Sequence, residues 1–581
     1  MPEKSEILAT ALKRFTTIQT EQSVYRPNSL ENIKFTYNID GSQWEVKDMA
    51  DRVIKRRPCL THNKLEKFVK QVANRQRDQR MSQKVKGIDD QADPIIADIL
   101  TQYIHAIEHQ SEATEIYTNA GEQALAGGYG YWRILTEYVD DSFDQEIRIV
   151  GIDNQYSVYL DPKGRYGFIR ESMTKDEFKE QYPDSEPVDV QSHGVGEDYE
   201  NWYEEDTVYI AEYFYRKPKE KTIAEVVHPD DIDGFPEIIE LKDNITVKTL
   251  EAQGIEVLRT RVVQSHTIKW CKISGTDVIE GYEGGEIRDW VGKEIPIIEC
   301  KGNEVNVAGK VYKRAVIENG KDPQRMYNYW ITAQTERGAL APKAHYMVTP
   351  EEIEGHEPMW DEANVENRAY LLYNNEGHGK PARTEPPLVD QGAVSMMNVG
   401  DRDIQDTLGM YESTFGQRSN ERTGKAIIAR SSRSDMGTYH FTDNLARAIR
   451  KTTRQLIDII PKIIDTNRML RVRDYKGAEA LVEVNKPILT DSGEIAIVND
   501  LSLGKFDLEE DVKIWSTRRE EAAVEMGEAM QYAPMIAPII AAYKFKYSDV
   551  PGAKELEGEI RDWMKRQEAN QAQELSNKKG G

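Results

Sequence analysis

Lys321-Asp-Pro-Gln-Arg-Met-Tyr-Asn-Tyr-Trp330 reads as the opening of a helix. Asp322 is a residue type that caps free N–H groups, and Pro323 suits the first helical position, where its missing donor is not needed. The helix is expected to run to about Ala341, and its ~21 residues at 1.5 Å each would span about 31 Å. Met326, Trp330 and Ala333 share one stripe, whereas Gln324, Asn328 and Thr335 lie elsewhere. Only part of the circumference is therefore apolar, and a core shared with a neighbour is expected. Residues 342–388 follow, with Pro342, Pro350, Pro358, Pro381, Pro386 and Pro387 around β-like runs at Tyr346-Met-Val-Thr and Ala369-Tyr-Leu-Leu-Tyr. A second helix over 389–414 carries Met397, Ile404, Leu408 and Tyr411 on one face. The order is helix, compact β insertion, helix.

Upstream, the texture is first helical and then β. Ile7, Leu8, Ala11, Leu12, Phe15 and Ile18 recur at spacings of three and four, ending near Tyr25-Arg26-Pro27. Leu65, Phe68, Val69 and Val72 repeat the pattern, as do residues from Pro94 to His109. Residues 1–127 are expected to be mainly helical. From Gly127-Gly-Tyr-Gly-Tyr-Trp-Arg133 the chain turns aromatic and β-branched, and strands are expected across 128–318 with acidic, solvated loops such as Asp184–Asp206. Downstream, 415–425 is a polar loop with two glycines. A long helix is predicted over 426–469, striped by Leu445, Ile449, Leu456 and Ile460, and Pro461 should kink it. Strands at 470–515 precede a helical tract at 516–581. The fold class is α+β.

The 581 residues hold 76 Lys+Arg against 100 Asp+Glu, a formal charge of −24. Such a length gives a prior of about four domains or subdomains. The acidic balance argues against a tight DNA clamp, because duplex affinity comes from Lys and Arg neutralising phosphates. Cys59, Cys271 and Cys300 are widely spaced and odd in number, so they support neither a disulfide framework nor a zinc finger. The first residues are charged and amphipathic, and no run approaches the ~18 apolar residues of a membrane span. A soluble, unexported chain without a membrane partner is expected.

Catalytic signatures are weak. Gly416 to Lys425 lacks P-loop spacing, and Ala426 stands where a hydroxyl is required. Gly127-Gly-Tyr-Gly130 lacks the full dinucleotide-binding spacing and enters a strand instead of a helix. His105, Glu108 and His109 fit the inverted zinc-protease pattern, but no third ligand stands out, and ordinary core or surface histidines explain them better. No enzyme, no catalytic residue, no metal site and no cofactor is expected.

Several runs together resemble the portal proteins of tailed bacteriophages, in particular the large portals of short-tailed phages of enteric bacteria. They are Asn38–Trp44, Arg57-Pro-Cys-Leu-Thr-His-Asn63, Gly127–Arg133, Asp140–Arg148, Tyr156–Pro162, Lys321–Asn328 and Ala341–Lys343. The resemblance implies a ring of identical copies, usually twelve, at one capsid vertex, with double-stranded DNA passing non-specifically along its axis. It implies a wing over 1–127 and 128–318, stem helices at 319–341 and 389–414 around a clip at 342–388, and a tunnel loop at 415–425. The long kinked helix 426–469, wing strands 470–515 and crown 516–581 complete the scheme. The long C-terminal barrel that some relatives carry is not expected after the crown, and no role of such a barrel in ejection is carried over.

Implied partners are the terminase large subunit, then a tail adaptor protein, together with the major capsid and scaffolding proteins. Assembly would take place in the host cytoplasm, and the finished location would be the virion. The stem candidates are Asp322, Pro323, Arg325 and Trp330. Arg418, Arg422 and Lys425 are placed to face DNA, with solvated loop charge or salt bridging between copies as the plainer reading. Tyr346, Trp360, Tyr370 and Tyr373 are candidates for partner contact, with packing within the clip as the plainer alternative. A ring-forming adaptor without DNA gating elements is the competing function.

Overall fold

The structure is a computed structural model. It describes residues 4–78, 83–89, 92–139, 142–188, 207–227, 237–241, 247–252, 254–340, 346–363, 366, 368–375, 380–383, 391–409, 438–473, 479–489, 495–509, 525–527, 529–530, 532, 536–546, 556 and 558–566. Its helices are α1 (Lys4–Gln22), α2 (Arg26–Tyr37), α3 (Val46–Ile54), α4 (Leu65–Asp78), α5 (Pro94–Gln110), α6 (Ala113–Gly127) and α7 (Lys175–Gln181). They continue with α8 (Val247–Ala252), α9 (Lys321–Leu340), α10 (Pro350–Ile353), α11 (Glu357–Asp361), α12 (Gln391–Leu408), α13 (Tyr439–Ile463) and α14 (Ala537–Lys546). Two compact units divide the chain: Met1–Ile33, Val69–Val316 and Gly416–Gly581 form one, Lys34–Phe68 and Ile317–Phe415 the other.

The first unit is built on antiparallel sheets. Strands β2 (Tyr129–Tyr138), β3 (Gln145–Gly151) and β12 (Ile297–Lys301) make a three-stranded sheet in the order β12-β2-β3. The larger sheet runs β10 (Tyr282–Glu283), β11 (Glu286–Asp289), β8 (Glu256–Ile273), β6 (Thr207–Val227), β5 (Tyr166–Thr174) and β4 (Val158–Leu160), with β7 (Glu237–Leu241) beside β6 and β9 (Val278–Glu280) beside β8. The buried residues of α1 are Ile7, Ala11, Phe15, Ile18 and Gln22, and its apolar stripe lies on Tyr159, Phe168, Tyr213 and Cys271 of the large sheet. A second core joins α5, α6, α13 and the small sheet, where Leu445, Ile449, Leu456 and Ile460 meet Trp132, Ile134 and Ile298. The fully buried Trp132 indole donates to Thr452 Oγ1 at 2.9 Å.

The Gly127–Arg133 run makes the turn from helix to sheet. Gly128, at φ 95°, closes α6 in the left-handed conformation that favours glycine. A Cβ at Gly130 would lie 2.1 Å from the Ala120 carbonyl oxygen, so only glycine lets β2 press against α6. Pro27 lies at the second position of α2, a helix that the proline-break reading did not anticipate. Cys271 and Cys300 are buried free thiols pushed up to about 12 by their surroundings, and Cys59 is half-buried.

Two helix expectations need correction. α13 ends at Ile463 instead of continuing to 469; Pro461 sits in its last turn, and β17 (Arg468–Arg473) already begins at Arg468. Residues 410–437, which include its expected start, lie outside the described residues. α9 begins at Lys321, directly after a 3₁₀ turn at Glu318–Gly320, so Asp322 and Pro323 occupy its second and third positions and Asp322 is not the cap.

In the second unit, α9 and α12 pack together, with Ala393, Gly400, Ile404 and Leu408 buried on α12. Between them in sequence, β15 (Tyr346–Met347) pairs with β16 (Ala382–Arg383) alongside α10 and α11. Residues 369–373 form no strand, so the insertion has less sheet than its sequence predicts. Its backbone is tied instead by side chains: Asn374 Nδ2 donates to the Glu354 carbonyl at 2.8 Å.

Candidate functional site in the paired-helix unit

The buried stripe of α9 is polar. Gln324, Asn328, Thr332 and Glu336, each four residues from the last, are 0, 0, 0 and 6% exposed. Four helical residues rise about 6.0 Å, close to the ~6.6 Å of two strand residues, so such a row can serve an extended chain at every second residue. Residues 60–64 occupy that place. Lys64 N–H donates to Gln324 Oε1 at 3.2 Å, His62 N–H to Asn328 Oδ1 at 3.0 Å, and Leu60 N–H to Thr332 Oγ1 at 3.2 Å. Gln324 Nε2 donates back to the His62 carbonyl at 2.8 Å, and Thr332 Oγ1 donates to the Leu60 carbonyl at 3.2 Å. The helix thus acts as a strand partner, antiparallel to the segment, using side chains in place of main chain.

A third segment locks the pair. Asn328 Nδ2 donates to Gln43 Oε1 at 3.1 Å, and Gln43 Nε2 donates to Asn63 Oδ1 at 2.8 Å and to the Phe35 carbonyl at 2.9 Å. Trp44 Nε1 donates to Thr61 Oγ1 at 3.2 Å. At the far end Arg57 and Arg52 both reach Glu336, Arg52 Nη1 at 3.4 Å. The hydrogen bond from Arg57, with the charges of both arginines, holds the Glu336 carboxyl below the ordinary glutamate range. Lys64 pairs with Asp401 of α12 and lies 4.1 Å from the Tyr327 ring centre, joining the two helices.

Of the expected stem residues, Asp322 is exposed and pairs with Arg325 at 3.5 Å. Arg325 also meets Glu45 at 3.5 Å and the Phe35 ring at 5.1 Å. Pro323 is half-buried, and Trp330 stands apart from that cluster, edge-on to Tyr329 at 5.5 Å. The sequence reading set Gln324 and Asn328 aside as lying off the apolar stripe, although they form the buried one. Their four-residue spacing was the available signal.

In the insertion, Tyr346 and Trp360 meet edge to face at 5.3 Å, and Arg383 covers the other ring contact of Tyr346 at 5.2 Å. Trp360 Nε1 donates to the Leu372 carbonyl at 2.7 Å. Tyr373 is half-buried and Tyr370 is 70% exposed, so the four aromatics do not form one cluster. Arg418, Arg422 and Lys425 lie outside the described residues. Among the described residues no group of three His, Cys, Asp or Glu side chains has metal-binding geometry, and no helix is long and apolar enough to cross a membrane. His105 Nδ1 faces Glu108 at 3.5 Å.

A mixed α+β chain, with two packed helices flanking a small insertion, has the fold class of a phage portal subunit. Residues 12–579 match the family described as Phage P22-like portal protein, and the chain belongs to that family. The portal protein of Acyrthosiphon pisum secondary endosymbiont phage 1 is 22% identical over 546 residues, covering 89% of this chain and 74% of that protein. Among solved structures, a chain from the virion of the native gene transfer agent particle is similar at 10% identity and a TM-score of 0.34, covering 81% of this chain and 84% of that one.

Proposed function

We propose that copies of this chain close into a ring of about twelve at one capsid vertex and form the conduit through which double-stranded DNA enters and leaves the head. The observation that carries this reading is membership of the portal family over residues 12–579. The net charge of −24 per chain supports a conduit over a clamp, since an acidic wall repels phosphate and lets duplex slide. Residues 319–341 and 389–414 act as stem, and 342–388 as the clip that docks the terminase large subunit and later a tail adaptor. Major capsid and scaffolding proteins surround the ring, which assembles in the host cytoplasm and ends in the virion. The role is non-enzymatic. Arg418, Arg422 and Lys425 make weak, sequence-independent phosphate contacts from the tunnel loop.

Native mass spectrometry with negative-stain imaging tests the ring. With 66.6 kDa per chain, a closed particle of about 800 kDa with an axial hole is expected. A chain that stays monomeric when concentrated with scaffolding protein overturns the reading. Deleting 416–424 tests the loop: heads should assemble but package poorly, and normal packaging removes its assigned role.

A further inference from the structure

β6 and β8 continue beyond the large sheet as a ribbon. β5 leaves β6 at Tyr215, β7 joins only at Thr222, and across 217–221 and 263–267 the ribbon is two strands wide. From Lys217 to Val227 it extends about 33 Å at ~3.3 Å per residue. Residues directly opposite on an antiparallel pair share a face, as do alternate residues on one strand. Lys217, Lys219 and Lys221 therefore share a face with Arg261, opposite Ile223, and Arg259, opposite Glu225. The other face of the ribbon's end is covered, since Ala224 and Val226 pack on Leu250 of α8 and on Ile255.

Two carboxylates lie among the five cations: Glu225 pairs with Arg259, and Glu240 with Lys221 at 2.6 Å. The face keeps a surplus of three positive charges on a chain whose total is −24. Lys217, Lys219 and Arg261 are exposed, and among the described residues they have no ion-pair partner. A two-stranded ribbon bearing like charges is marginal in water by itself. Apolar Ile223, Val263 and the 62% exposed Ile238 interleave with the charges, and among the described residues from 217 to 227 and 256 to 265 there is no aromatic side chain for base stacking. Two of the five cations are already held by the chain's own carboxylates and apolar side chains lie between the rest, while the net −24 of every copy supplies the complementary carboxylates for the three that remain.

We propose that this basic arm docks on a carboxylate-bearing surface of a second copy of the chain, so that each acidic subunit is held by the cationic arm of its neighbour. Such a heterologous contact propagates round a ring. The inference rests on the ring reading above, and the test separates the two. The triple variant K217E/K219E/R261E and the charge-keeping control K217R/K219R/R261K are compared with wild type by native mass spectrometry from 50 to 500 mM salt.

Wild type and control should form rings that weaken as salt screens the contact, and the reversal variant should need at least about tenfold more protein to assemble at low salt. Isotope-mixed wild-type rings treated with a carbodiimide should yield cross-links from Lys217 or Lys219 of one copy to a carboxylate of another, a readout that holds even where the reversal variant fails to fold. Wild-type rings with no such cross-link overturn the proposal and leave the ring reading standing. So does a reversal variant that assembles like wild type, or one that assembles normally but loses retardation of duplex DNA. A wild type that never forms rings overturns both.

Discussion

Asn328→Ala should loosen the extended segment at 60–64 without touching any apolar core residue. The substitution removes the acceptor of the His62 N–H, one acceptor of Gln324 Nε2, and the donor to Gln43 Oε1. Gln324 Nε2 keeps its bond to the His62 carbonyl, so two groups are orphaned. Gln43 is 1% exposed, and its orphaned Oε1 should cost about 1–3 kcal/mol; the partly buried His62 N–H adds about 1 kcal/mol. A total of about 2–4 kcal/mol corresponds to roughly 30- to 700-fold faster opening at 1.4 kcal/mol per decade. Native-state hydrogen exchange of the full chain reads this at the amides of Leu60, His62 and Lys64. Thr335→Ala is the control, because among the described residues the exposed Thr335 hydroxyl bonds the Ile331 carbonyl of its own helix alone, and its loss should leave those amides unchanged. Exchange within about threefold of wild type in Asn328→Ala would refute the idea that the polar row holds the segment.

The pair at the end of the row should respond to acid. Glu336 is held below its ordinary range by Arg57 and Arg52, so the unfolded chain binds its proton at higher pH than the folded one. That share of stability is present above the ordinary glutamate pKa of about 4.3 and is lost as pH falls through the depressed folded value; Glu336→Gln should flatten the corresponding part of a melting-temperature profile between about pH 3 and 6. Trp360→Phe keeps a ring against Tyr346 and removes the bond to the Leu372 carbonyl, and should weaken the insertion by about 1 kcal/mol, seen as faster proteolysis within 346–374. A water-soluble disulfide reagent at pH 8 should label the half-buried Cys59 first, and the buried Cys271 and Cys300, pushed up to about 12, only after denaturation.

The fold class was legible because its signals are local. Period-3.6 stripes such as Ile7, Ala11, Phe15 and Ile18, and aromatic alternation after Gly127, depend on neighbours in sequence alone. The interior of the paired-helix unit was not, because the usual rule equates a buried stripe with an apolar one. Gln324, Asn328 and Thr332 break that rule by satisfying main-chain groups that lie 260 to 272 residues away. Asp322 was read as a cap because Asp-Pro is a common opening, but the 3₁₀ turn at Glu318–Gly320 moves the start upstream. The Leu372 carbonyl that accepts from the Trp360 indole, and Glu45 and Phe35 beside Arg325, likewise come from segments that no periodicity connects.

The resembling run Arg57-Pro-Cys-Leu-Thr-His-Asn63 gains a physical reading from the same geometry. Counting down by two from Lys64, the row pairs Lys64 with Gln324, His62 with Asn328 and Leu60 with Thr332, and the next residue due, opposite Glu336, is Pro58. Proline has no N–H to give, so the ladder ends there. Mismatch between ~6.0 Å per helical step and ~6.6 Å per strand step has by then accumulated to about 2 Å, which a short side chain does not span. The terminal position is filled accordingly by long, adaptable groups: Glu336 takes Arg57 and Arg52, and Arg52 Nη1 also donates to the Pro58 carbonyl at 3.3 Å. Pro58 in addition disfavours the helical region at Arg57, which lies beyond the end of α3 and outside any helix. A proline that stops the ladder, every second residue offering its main chain, and a cation at the end together account for why this run and Lys321–Asn328, far apart in sequence, stand out together.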